Sequence, residues 1–248
     1  MLASWGEPGP IILCVHGITS SRRSWGRFAE RMQSRFQVFA YDQRGHGDSA
    51  AVLGPMTLAR SLGDLETVAG ALPGPVHLLV GHSWGGAVAL LGGREIDPDK
   101  VLAIDPMVRV MPGTFEADYV DELRDTLGLP RGEREPALRA MYEGLHPTDL
   151  AAKLHAMSGM SIAALEQLGR DNHVDEGGWD IREALADYPV PLLILAAGVD
   201  SVMSPDDLAF VRERGGPNVA VRVFENEGHN LHRTAFDAFV EAVDAFAA

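Results

Sequence analysis

The chain is poor in cysteine and in basic residues. One cysteine stands among 248 residues, so no intramolecular disulfide can form. That cysteine, Cys14, sits inside the apolar run Ile11-Ile12-Leu13-Cys14-Val15. A strand interior leaves a thiol buried and reduced, whereas a reactive cysteine needs an electropositive turn. Lys and Arg number 21 against 35 Asp and Glu, a formal net charge of -14. This balance excludes nucleic acid and anionic membrane as partners, because phosphate binding needs clustered cations. No apolar run reaches the roughly 20 residues that span a bilayer. The opening Met-Leu-Ala-Ser-Trp-Gly-Glu-Pro-Gly-Pro has neither the basic n-region nor the apolar core of a secretory signal, so a cytoplasmic protein is expected. The nine histidines show no i, i+4 or cysteine-linked ligand spacing, and no metal or other cofactor is expected.

What is present is an alternation. Short β-rich apolar runs at 11–15, 36–41, 76–80, 101–104, 192–197 and 219–224 are separated by helical periodicity. Most of these runs are apolar on both faces, as parallel strands covered by crossover helices must be. Leu58, Leu62, Leu65, Val68 and Leu72 recur at helical spacing after the cap residue Thr57. Ser204-Pro205-Asp206-Asp207 supplies a cap, a first-turn proline and two acids at the positive dipole end of a helix over 205–214. The alternation fails from 106 to 188, where no clear strand is expected. Short helical patterns there, near 116–127, 134–145, 149–156 and 159–169, carry Met107, Met111, Met141, Met157 and Met160. The expected organisation is a core of residues 1–105 and 189–248 with a helical cap at 106–188, inserted over the carboxyl edge of the sheet.

Residues 81–86 read Gly-His-Ser-Trp-Gly-Gly, behind the apolar run Val76 to Val80 and ahead of the helix-forming Ala87 to Leu91. In a Gly-x-Ser-x-Gly elbow the chain turns sharply from strand to helix and exposes a strained serine. An ordinary glycine-rich turn is the plainer reading of the pattern alone, but strand before and helix after is the context the motif requires. A serine hydroxyl is a weak nucleophile, so Ser83 needs a base and a group to orient it. Loops at the carboxyl ends of later strands are where such partners belong. His229 follows the last strand, whereas His16 and His82 lie beside motif elements, His146, His155 and His173 in the insertion and His232 in the final helix. For the acid, Asp200 and Asp105 both leave strands at that edge. Asp200 is preferred, since it lies in a polar turn ahead of a capped helix while Asp105 enters the insertion beside Pro106. Asp42 and Asp48 belong to another loop and are read as structural. Donors for a developing oxyanion are expected from the backbone N–H of Trp84 and of Ile18, the latter in the loop His16-Gly17-Ile18-Thr19.

These residues together resemble the α/β-hydrolase family across nearly the whole chain: His16-Gly17, the segment Tyr41-Asp42-Gln43-Arg44-Gly45-His46-Gly47-Asp48-Ser49, the elbow, the Asp200 loop and Gly228-His229. The resemblance implies Ser83 as nucleophile, His229 as base, Asp200 as acid and a helical cap. It also implies a mostly parallel, doubly wound sheet. Haloalkane dehalogenases and epoxide hydrolases of this fold carry aspartate at the elbow, where this chain has Ser83. The family usually opens with an antiparallel strand pair, yet ten residues precede Ile11. Leu2–Trp5 is expected to be the second of that pair, with the first missing, and an open edge there would allow a monomer or a homodimer. The leading expectation is a carboxylesterase acting on a small apolar ester, with Trp25, Trp84, Met107, Phe115 and Met160 as pocket residues. Carbon–carbon hydrolysis of a ring-cleavage product, or lactonase, thioesterase or perhydrolase activity, uses the same triad. A ligand-binding receptor or inactive scaffold is the alternative of another class.

Overall fold

The computed structural model describes residues 1–52, 54–111, 117–173 and 177–248. A seven-stranded sheet forms its centre, in the order β1-β3-β2-β4-β5-β8-β9. The strands are β1 (Leu2–Trp5), β2 (Ile11–Val15), β3 (Gln37–Tyr41), β4 (Val76–His82), β5 (Lys100–Ile104), β8 (Leu192–Ala197) and β9 (Val219–Phe224). Edge strand β1 runs antiparallel to β3, and every other pair in this sheet is parallel. β6 (Arg109–Val110) and β7 (Trp179–Asp180) pair separately as a short antiparallel ribbon. That ribbon departs from the expectation that 106–188 contains no strand; two-residue strands are too short to leave a periodicity in sequence.

The helices are α1 (Gly26–Met32), α2 (Leu58–Gly70), α3 (Trp84–Glu95), α4 (Ala117–Gly128), α5 (Arg131–Met141), α6 (Pro147–Ser158), α7 (Ile162–Asp171), α8 (Pro205–Arg214), α9 (Leu231–Thr234) and α10 (Phe236–Ala247). Alternate residues of the buried strands serve the two faces of the sheet. Leu13, Val15, Leu79, Val101 and Ala103 pack toward α2 and α3 with Leu65 and Val88. Ile12, Cys14, Leu78, Val80 and Leu102 pack toward α1 and α10 with Phe28 and Phe239. Full burial also pushes the Cys14 thiol up, away from thiolate chemistry. α8 begins at the expected cap, which closes as a capping box: Ser204 Oγ accepts from the Asp207 N–H while the Asp207 carboxylate accepts from the Ser204 N–H. No helix among the described residues is long and apolar enough to cross a membrane.

The helices between β5 and β8 have a small core of their own. Leu123, Leu127, Leu138, Met157 and Met160 form it. Met160 is 5% exposed and packs beside His46, Met56, Leu165 and Leu168. Trp25 is 1% exposed and packs on Phe28 and His232, on the α1 and α10 side of the sheet. Trp25 thus lies in the core under the sheet, while Met160 belongs to the small core of the inserted helices and lines a cavity beside His46 and Met56. Apolar spacing alone does not separate the two environments. Phe115 lies outside the described residues.

Three elbow glycines hold α3 against the sheet. A Cβ at Gly81 would stand 2.1 Å from the Gly85 carbonyl oxygen, and one at Gly85 would stand 2.3 Å from the Val15 oxygen. One at Gly86 would stand 2.7 Å from Pro106 Cβ. Gly85→Ala is therefore expected to lose about 3 kcal/mol or more of stability, because backbone cannot move aside as a side chain can. Gly63→Ala on α2, where an added Cβ meets nothing within 4 Å, is expected to gain about 0.5–1 kcal/mol. Urea denaturation of both variants checks the pair; equal stabilities would contradict the packing described.

Candidate active site

Ser83 closes β4 and caps α3 with φ 58° and ψ -120°. A non-glycine residue at positive φ is strained and persists only where its surroundings fix it. Three hydrogen bonds do so: the Ser83 N–H donates to the Ile104 carbonyl at 3.0 Å, and its own carbonyl accepts from Ala87 and Met107, each at 3.1 Å. Ser83 is 7% exposed. Trp84 begins α3, so its N–H has no intrahelical acceptor and points out of the helix start. The loop after β2 approaches from the other side. A Cβ at Gly17 would stand 3.1 Å from Ser83 Cβ, and Ile18 follows it.

His16 holds that loop. Its Nδ1–H donates to the Gly17 carbonyl at 2.8 Å, and its Nε2 accepts the Gln43 N–H at 3.1 Å, which settles the neutral tautomer. Burial, with His46 beside it, lowers its pKa to about 3. The loop after β3 is built around Asp42, which accepts from the backbone of Arg22 and Asp48 and pairs with the Arg22 guanidinium. Its role is structural.

The structure brings His229 to Asp105 and not to Asp200, the acid that the sequence favoured. His229 Nδ1 lies 2.6 Å from Asp105 Oδ2. Asp105 is fully buried, and its carboxylate accepts from the Ala197 N–H, the Ser201 hydroxyl and the Val202 N–H as well. Asp200 is exposed, with φ 49° at the tip of the turn after β8. β5 and β8 are neighbours, so the β8 turn cradles an acid delivered by β5 instead of supplying one. Ser201 and Val202, directly after Asp200, make that cradle.

Two features fix His229. Gly198 and Val199 donate to the Glu227 carbonyl, which ties the β8 turn to the loop after β9. His82, inside the elbow and next to Ser83, has Nε2 3.0 Å from the His229 carbonyl, with the two rings 4.6 Å apart. Burial holds His82 well below the usual imidazole range, with His232, His229 and Arg233 adding to the effect. It is therefore the neutral ring that donates this bond. His82 had a sequence signal, its place inside the motif; Ser201 had only its position beside Asp200. Met107 touches the site through its backbone bond to Ser83, and Trp84 packs edge-on to Trp179 of the ribbon at 5.9 Å.

A strained serine between strand and helix, a histidine after the last strand and a buried acid joined to it make up one known architecture. The sequence profile of the alpha/beta hydrolase family matches residues 12–242. The chain belongs to that family. It is similar to N-formylmaleamate deformylase of Pseudomonas putida, with 28% identity over 98% of this chain and 90% of that protein. It is also similar to protein phosphatase methylesterase 1 of Mus musculus, with 27% identity over 97% of this chain and 76% of that one. Among solved structures, N-formylmaleamic acid deformylase from Pseudomonas putida superposes with a TM-score of 0.80 at 24% identity, covering 98% of this chain and 94% of that chain. Within this hydrolase family the described chain is a mostly parallel sheet with helices on both faces.

The buried histidines set a pH dependence for stability. His16, His82 and His232 all have imidazole pKa values lowered by burial. A depressed histidine favours folding fully only above its unfolded value, because below it the unfolded chain takes up protons that the folded chain refuses. From 6.5 down to about 3, His16 alone changes stability by about 5 kcal/mol. The melting temperature is expected to fall steeply below pH 6, with proton uptake on unfolding. An unchanged melting temperature between pH 7 and pH 5 would contradict these neutral, buried rings.

Proposed function

We propose that the protein is a cytoplasmic serine hydrolase that cleaves a small, largely apolar carboxylic ester through an acyl-enzyme. The observation that carries this reading is the 2.6 Å contact between His229 Nδ1 and a fully buried, fourfold-satisfied Asp105 carboxylate. Such a contact holds the imidazole in the tautomer whose Nε2 can take a proton. In this reading Ser83 Oγ attacks the ester carbonyl as His229 Nε2 removes its proton. The carbonyl oxygen becomes an oxyanion held by the N–H groups of Ile18 and Trp84. The C–O bond to the alcohol breaks as His229 returns that proton to the leaving oxygen. Water then attacks the acyl-serine, giving up a proton to His229, and the acid leaves with Ser83 restored. Asp105 stays ionised throughout and offsets the charge of the transient imidazolium.

Residues 106–188 serve in this account as a cap over the site. Its own core of Met157, Met160 and leucines holds its helices together. A second reading, cleavage of an N-acyl bond, is favoured by the likeness to a protein named for deformylation. The same three side chains would serve, with His229 protonating a nitrogen leaving group.

A fluorophosphonate probe is expected to label the wild-type protein on Ser83 and to leave Ser83→Ala unlabelled. Nitrophenyl esters of two to eight carbons, assayed beside an N-formyl amide, are expected to be turned over fastest at short chain length. Absence of labelling would overturn the hydrolase reading, and turnover of the amide alone would replace ester with amide.

A further inference from the structure

We propose that Lys153 of α6 is a positioning residue for the oxyanion loop, so that the helical segment over the site helps to shape the oxyanion hole as well as to cover it. The proposal rests on the serine hydrolase reading above. Lys153 Nζ donates to the Thr19 carbonyl at 3.0 Å and to Thr19 Oγ1 at 2.8 Å. Thr19 is the residue after Ile18, and its backbone is at φ 60°. A β-branched residue in the left-handed region is strained and needs an external hold. Two residues earlier, Gly17 brings the same loop against Ser83. The lysine thus grips the loop one residue beyond its proposed oxyanion donor.

The choice of residue is informative. A packing contact between α6 and the core would be served by an apolar side chain, without the cost of burying an amine. Lys153 is 7% exposed, with the Tyr142 ring 4.7 Å from Nζ. Burial and the nearby Arg233 push its ammonium well below the ordinary lysine range. In either charge state the amino group carries at least two N–H donors, the number that Thr19 accepts.

A relay braces the next residue. Arg233, two positions after Leu231 at the start of α9, has Nη2 3.3 Å from Ser20 Oγ. Arg27 Nη1 donates to the Arg233 carbonyl at 3.4 Å and to Asp149 at 3.2 Å. Asp149 lies on α6, four residues before Lys153. The same face of α6 therefore reaches Thr19 directly and Ser20 through two arginines. The segment carrying His229 is joined to the same network.

The test uses the full-length protein, an ester substrate and a trifluoromethyl ketone, whose tetrahedral adduct carries an oxyanion. Lys153→Met is expected to lower kcat about 10- to 100-fold, with KM within about 3-fold, because an oxyanion donor acts in the transition state. Affinity for the ketone is expected to fall in parallel with kcat/KM. Thr19→Val is expected to lower kcat about 3- to 10-fold, and the double variant to match Lys153→Met, since both changes remove one interaction. If Lys153→Met does not fold, Thr19→Val alone decides. A normal kcat, or a kcat loss without loss of ketone affinity, overturns the proposal. A wild-type protein that neither turns over ester nor labels with fluorophosphonate removes the hydrolase reading itself, a result distinct from active, labelled wild type beside an unaffected Lys153→Met.

Discussion

The backbone at Ser83, at φ 58° and ψ -120°, is the constraint around which this molecule is organised. That conformation is unfavourable for any residue with a side chain, and local sequence alone would not keep it. It is kept because β4 and α3 meet at an angle that only glycines at 81, 85 and 86 permit. The Ile104 carbonyl, Ala87 and Met107 then close the hydrogen bonds of the strained peptide. Ile104 ends β5, so the strand that fixes the Ser83 backbone also delivers Asp105. Elbow and acid are thus parts of one contact between neighbouring strands.

From that contact the rest of the site follows in layers. β8 lies beside β5 and lends its turn as a cradle for Asp105; β9 lies beside β8 and delivers His229. His82 ties the His229 loop back to the elbow. The buried imidazoles at 16, 82 and 232 stay neutral because desolvation and the basic groups near them both disfavour the charged ring. Neutral rings have fixed donors and acceptors, and fixed donors make a rigid scaffold. In a chain of net charge -14, the basic side chains Lys153 and Arg233 are nonetheless buried beside the loop after β2. Their hydrogen bonds to Thr19 and Ser20 give that placement a physical reason.

Much of the fold was legible in the sequence. The strands at 11–15, 192–197 and 219–224 and the helix at 205–214 have their expected bounds, because parallel strands and a capped helix leave clear periodicities. The elbow was legible because its glycines are demanded by close approach. The choice between Asp105 and Asp200 was not. Both leave a strand at the carboxyl edge, and what separates them is that β5 lies between β4 and β8, a pairing that one sequence does not display. Where Trp25 and Met160 would pack was not legible for the same reason: an apolar side chain carries no mark of which core it joins. Lys153 left no signal at all, since its partner Thr19 is distant in sequence.

The central claim is that Asp105, and not Asp200, orients His229. Turnover of the best ester by Asp105→Asn and Asp200→Asn tests it most directly. The account predicts that Asp105→Asn loses kcat by about 100- to 10,000-fold, through the wrong imidazole tautomer, while Asp200→Asn stays within about 3-fold of wild type. A larger loss in Asp200→Asn would contradict it.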